Sequence, residues 1–144
     1  MTTLTSTREQ NTKIAIVVDG ALPPGLAANT AAVLAMSLGR RLAGLIGADL
    51  KDGDGSVHPG ITNTPIPILT APADQVKDIR ARAASDDDLF IVDFTDRAQR
   101  SKTYDDYADL LRDATSESIA YLGVALYGPR KPVQRLTGSL PLLR

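Results

Sequence analysis

The chain contains no cysteine among its 144 residues. That absence excludes disulfide staples, thiol nucleophiles, iron–sulfur clusters and zinc fingers. A single histidine, His58, excludes metal centres built from several imidazoles. Neither sign of charge dominates, since 16 Lys and Arg face 17 Asp and Glu for a net charge of −1. The balance also holds locally, with five of each sign in residues 1–70 and eleven basic against twelve acidic in residues 71–144. Bulk charge therefore argues against a nucleic-acid or membrane binder. Aromatics make up only 4%, and Tyr104, Tyr107, Tyr121 and Tyr127 are spread over different elements. They read as core and rim, not as a platform for stacking bases. No long hydrophobic run is present. The least polar stretch, 20–39, is rich in alanine and broken by proline, which reads as a soluble helix and not as a membrane span. Residues 1–12 lack the apolar centre of a signal peptide and read as a flexible tail. No cysteine and no export signal fit the cytoplasm. What is present, 43% hydrophobic and 23% charged residues, fits one globular domain over 13–144 with a core of its own.

Three continuous apolar runs read as strands covered on both faces: Lys13–Val18, Leu89–Phe94 and Ile119–Leu126. Asp19-Gly20 stops the first, and Pro23-Pro24-Gly25 leads into a helix over Leu26–Arg40. The alanines of that helix, 27, 28, 31, 32 and 35, predict close packing on a sheet. Asp52-Gly53-Asp54-Gly55 predicts a turn between Leu45–Leu50 and Ser56–Ile61. The prolines of Pro65-Ile66-Pro67-Ile68-Leu69 favour an edge strand. A helix follows from Pro72 to about Ala84, with Val76, Ile79 and Ala83 on one stripe. Thr103-Tyr104-Asp105-Asp106 resembles a capping box opening another helix. Tyr127-Gly128-Pro129 reads as a turn into a last strand, Val133–Thr137. Strands alternating with helices and ending in two adjacent strands predict an α/β domain with a mixed sheet.

Lys13-Ile-Ala-Ile-Val-Val18, then Leu22, Gly25 and Leu26-Ala27-Ala28-Asn29, resembles the opening of type II peptidyl-tRNA hydrolases. Leu122-Gly123-Val124-Ala125, Gly128-Pro129, Val133 and Leu136–Leu140 resemble their ending, with an extra segment near Arg97–Glu117. A closer resemblance is to a set of uncharacterised bacterial proteins, the domain of unknown function two thousand. It is carried by Leu26-Ala27-Ala28-Asn29, by Pro59-Gly60-Ile61 with Asn63 and Pro65, and by Leu126-Tyr127-Gly128-Pro129-Arg130-Lys131. The resemblance implies a three-layer α/β/α fold of the type II peptidyl-tRNA hydrolase kind around a mixed four-stranded or slightly larger sheet. It implies no established activity. The hydrolases use a Lys in the first loop, an Asp before it and a His on the first helix. Here the loop is shorter, the Asp position falls at Ala21 and the His position at Ala32, while Asn29 stands for their Gln. Acid–base chemistry has no purchase on alanine, so the departures argue against peptidyl-tRNA hydrolysis.

The candidate residues each carry two readings. The loop from Asp19 to Gly25 meets a helix N-terminus, where free N–H groups hold anions, yet Pro23 and Pro24 remove donors and Asp19 repels a phosphate. Asn29 is placed to orient a substrate carbonyl or to tie two loops together. Asp93 lies inside an apolar strand, so it is a site carboxylate or the partner of a base such as Lys13. His58 is a candidate general base or an ordinary loop histidine. Arg130 and Lys131, with Arg135 and Arg144, give residues 130–144 four positive charges and no acid. They suit a small anionic ligand, or they blunt the edge of a hairpin. Asp86-Asp87-Asp88 and Asp105-Asp106 read as a turn and a helix start, so neither a metal nor another cofactor is expected. The residues together suggest a small-ligand or protein-interaction module. A homodimer is expected through the apolar Leu140-Pro141-Leu142-Leu143. The alternative is a hydrolase of a small ester or amide, with Asn29 orienting, Asp93 or His58 moving the proton, and Arg130 or Lys131 holding an anionic group. RNA binding through the basic end is the weakest reading.

Overall fold

The first apolar run becomes β1 (Thr12–Asp19), the strand around which the other elements are arranged. The structure, a computed structural model, describes residues 11–144; the tail expected over 1–12 lies almost wholly outside them. Ile14 to Val18 are each at most 3% exposed, because both faces of the sheet are covered and no polar alternation is needed. Helix α1 (Pro24–Arg41) follows, with Pro24 in its first turn, where a missing N–H costs nothing, and Arg40 and Arg41 in its last. A 3-10 turn at Ala43–Leu45 opens an excursion containing a small hairpin, β2 (Leu50–Lys51) and β3 (Val57–His58). The hairpin is shorter than the sequence suggests. Its base is nevertheless fixed, since a Cβ on Gly60 would sit 1.8 Å from the carbonyl oxygen of Gly47. The chain returns in β4 (Ile68–Ala71) and α2 (Ala73–Ala84), then β5 (Phe90–Thr95). Two short helices, α3 (Asp96–Arg100) and α4 (Tyr104–Arg112), precede β6 (Tyr121–Pro129) and α5 (Arg130–Thr137). Thr103 caps α4 as expected, its Oγ1 accepting from the Asp106 N–H at 3.0 Å.

The sheet has the order β4-β1-β6-β5. β1 and β4 are parallel, and β6 runs antiparallel to both β1 and β5. On one face, Leu34 and Leu38 of α1 pack on Ile14, Ile16, Val18, Phe94 and Ala125. On the other, Val76, Ile79 and Ala83 of α2 and Val133 of α5 pack on Ala15, Val17, Val124 and Leu126. The result is three layers, α/β/α, around a mixed four-stranded sheet.

Two expectations are corrected. Val133–Thr137 is not a strand: it is the second half of α5, with Val133 and Thr137 buried one turn apart. Nor does the chain turn at Tyr127–Pro129, because β6 continues to Pro129 against Thr12. The chain therefore ends in a strand and a helix, not in two adjacent strands, and Arg130 and Lys131 start that helix. The prolines displace β4 slightly from the expected 65–69. Pro67 serves only as an acceptor, for the Ile16 N–H, and the strand begins after it.

The two sheet edges differ. The chain's own end covers β4: the Thr70 N–H donates to Pro141 O at 3.0 Å and the Leu143 N–H to Ile68 O at 2.9 Å. Leu69 and Leu142 form the bridge between them. Along β5, by contrast, no backbone hydrogen bond joins the outer side to another segment among the described residues.

Candidate functional site

The structure separates the expected site residues into four places. Asp19, Gly25 and Asn29 lie at the carboxyl end of β1. Asp19 Oδ1 accepts from the Ala21 N–H at 2.9 Å, which fixes the loop, and Asp19 lines a crevice of about 590 Å³ with Thr70, Gln75 and Pro141. Gly25 and Asn29 are exposed on α1 and do not line that crevice. Arg130 and Lys131 lie at the opposite end, beside Thr12, roughly 23 Å away along a strand of seven residue steps. Asp86 and Asp88 line the same cleft as these bases and oppose their charge. Burial, then the charge of Arg130, holds the Lys13 ammonium below its usual value.

His58 belongs to the hairpin. Its Nε2 lies 2.8 Å from Asp52 Oδ2, and both side chains are largely exposed. The His58 hydrogen bond, followed by the backbone amides of Asp54 and Ser56, holds the Asp52 carboxyl below its ordinary value. The pair closes a turn, with Asp52 also accepting from the Asp54 and Ser56 amides.

Asp93 is the candidate with built surroundings. It projects from β5 toward α2, where Oδ2 meets Arg80 Nε at 3.3 Å, so its partner is Arg80 and not Lys13. The Arg80 guanidinium lies over the ring of Tyr121, 5.3 Å from its centroid. Asp93 lines a groove of about 570 Å³ whose floor is the outer edge of β5, Ile91 to Phe94. Val33 and Ser37 of α1 form one side of the groove, and Ser101 to Tyr104 with Tyr107 form the other. Burial, then the charge of Asp93, pushes the Tyr107 hydroxyl above its ordinary value, which keeps it a proton donor. Tyr104 meets Tyr107 edge-on at 5.6 Å.

Sequence reasoning missed Arg80, Tyr107 and the 101–104 loop. The signal for the last two is the extra segment near Arg97–Glu117, which supplies that side of the groove. Among the described residues no serine hydroxyl hydrogen-bonds to Asp93 or His58, so the nucleophile–base pair that ester or amide cleavage needs is not assembled there. No three His, Asp or Glu side chains converge among the described residues, and no helix there is long and apolar enough to cross a membrane.

A family described as Protein of unknown function (DUF2000) matches residues 12–144. The chain belongs to this family. A solved structure of another protein of unknown function, from Agrobacterium tumefaciens strain C58, is similar in fold, with a TM-score of 0.84 at 20% identity. The similarity spans 92% of this chain and 98% of that one. No functionally curated protein matches. The family match includes β1, the β5 groove and the C-terminal segment that covers β4.

Proposed function

We propose that this member of the family is an interaction module on a type II peptidyl-tRNA hydrolase-like fold, whose working element is the open edge of β5. One observation carries this reading: β4 is covered by the chain's own end, whereas β5 offers its outer main-chain groups at the floor of a lined groove. An edge of that kind accepts an extended polypeptide as an added strand, with main-chain hydrogen bonds giving affinity and flanking side chains giving preference. Val33, Val92 and Phe94 suit apolar side chains on the α1 side, and Tyr107 and Lys102 suit polar or acidic ones opposite. Hydrolysis of peptidyl-tRNA is disfavoured, because Ala21 and Ala32 occupy the positions where the resembling hydrolases carry Asp and His.

The test is selection of short random peptides on immobilised protein. Enriched sequences are expected to alternate apolar and polar residues and to lose binding when alternate amides are N-methylated. Failure to enrich any sequence, or enrichment of peptides indifferent to N-methylation, contradicts strand addition.

A further inference from the structure

Resting on that reading of the β5 edge, we propose that its occupant is an extended segment of another protein in which apolar residues alternate with polar ones and one polar residue is acidic, its carboxylate held by the Lys102 ammonium.

The charges at the groove select that acid. Two charged side chains line it, Asp93 and Lys102. Asp93 is matched by Arg80 at 3.3 Å. Lys102 is exposed and has neither an ion pair nor a hydrogen bond among the described residues. The neighbouring acids do not supply its counter-ion. Asp96 is engaged by Arg97 and Arg100, and Asp109 by Arg112. Asp105 and Asp106 open α4 without lining the groove. Asp86, Asp87 and Asp88 stand before β5, and none of them lines it either. The groove therefore presents one unmatched positive charge. A neutral donor on the same wall is also unused: the Tyr107 hydroxyl has no hydrogen-bond partner among the described residues.

The alternation comes from the strand itself. Val92 and Phe94 pack on the α1 side of the sheet, Ile91 packs on the α2 side, and Asp93 faces Arg80 of α2. A strand added beside β5 divides its own side chains between the same two faces. Those on the α1 side meet the apolar Val33, and those on the other side meet the wall that carries Lys102 and Tyr107. The six residues of β5 extend roughly 20 Å, which suits a segment of about six or seven residues.

Walls on both sides of the edge admit a single extended chain, whereas an identical recessed edge from a second copy does not reach the floor. The apolar C-terminal stretch that the sequence offers as an interface is used internally. Leu140 packs against the core of its own chain, while Pro141 and Leu143 hydrogen-bond to β4.

The probes are capped peptides of about seven residues that alternate valine and threonine, long enough to cover β5. Each threonine is replaced in turn by Glu, Gln or Lys. Binding to the full chain is measured by calorimetry, and N-methylation of alternate amides reports strand addition. At one position Glu is expected to bind about two- to fivefold more tightly than Gln, the worth of an exposed ion pair, with Lys weaker than either. Lys102→Met abolishes that ranking and Lys102→Glu reverses it. Lys51→Met, which removes an exposed lysine of the hairpin, leaves the ranking unchanged. Bulk attraction to a chain of net charge −1 would rank the peptides the other way. N-methylation-sensitive binding with no preference for Glu, or a preference that survives Lys102→Met, overturns the acidic partner and leaves the open edge standing. Binding of no peptide, or binding indifferent to N-methylation, removes both readings.

Discussion

Replacing Gly123 with alanine tests how closely α1 lies on the sheet. Gly123 sits in β6 opposite Val18. A Cβ there would lie 2.7 Å from Thr30 Cγ2, 3.0 Å from Leu34 Cδ1 and 3.1 Å from the carbonyl oxygen of Val17. None of the three neighbours yields easily. Thr30 and Leu34 are fully buried, the Thr30 hydroxyl is pinned by donating to Leu26 O at 2.8 Å, and Val17 O belongs to the central strand. Overpacking of this kind costs about 1–3 kcal/mol, and three simultaneous close approaches place Gly123→Ala near about 2 kcal/mol. Thr30→Ser removes the closest atom while keeping the hydroxyl, and alone costs about 1 kcal/mol for one buried methyl. In the double variant the worst contact is gone, so the two costs add to less than their sum by about 1 kcal/mol. Urea unfolding followed by circular dichroism reads all four proteins, with unchanged slopes as the sign that only native packing has changed. A Gly123→Ala protein within about 0.5 kcal/mol of wild type, or strictly additive variants, would refute the close approach.

Three further outcomes follow from the groups around the candidate site and the hairpin. Asp52 ionises below the ordinary carboxylate value, so its stabilisation of the hairpin is present above the unfolded-state value of about 4. That stabilisation is lost as pH falls through the lowered folded value; in an NMR titration, His58→Ala moves the Asp52 step upward. Tyr107 ionises above its ordinary value, mainly through burial. Ultraviolet titration is expected to show a late tyrosine step that Tyr107→Phe removes and Asp93→Asn shifts downward only in part. Arg80→Met leaves Asp93 partly buried without its cation, where its side chain is 24% exposed. After allowance for that exposure the loss is about 1–2 kcal/mol. In thermal unfolding Arg80→Met is expected to melt below Asp93→Asn, and the reverse order would contradict a compensating pair.

The fold was legible where burial on both faces writes itself as an apolar run, as in Ile14–Val18 and in much of β6, and β5 was legible from its apolar residues despite Asp93. Helix α2 was legible for a related reason: Val76, Ile79 and Ala83 form a single stripe against the sheet. The last element was misread because Val133 and Thr137 favour strands in isolation. Their spacing, with Pro132 near the helix start, allows one buried helical stripe that tertiary packing selects. The site was less legible because its parts meet only through topology. Arg80 and Asp93 lie thirteen residues apart and come together when α2 packs behind β5. The antiparallel pairing of β6 with β1 carries Arg130 and Lys131 to the end of β1 opposite Asp19, although the sequence allowed them to share one site. That β5 is an edge strand depends on the strand order β4-β1-β6-β5, which no local pattern encodes.

The most direct measurement is amide hydrogen exchange at residues 90–95 with and without a peptide selected on the protein, with 68–71 of the covered edge as the internal reference. If β5 is the docking edge, its outward amides exchange freely in the protein alone and become protected when the peptide is added, while those of β4 stay constant. Exchange in β5 that the peptide does not change, or protection already complete without it, would contradict an open edge that accepts an added strand.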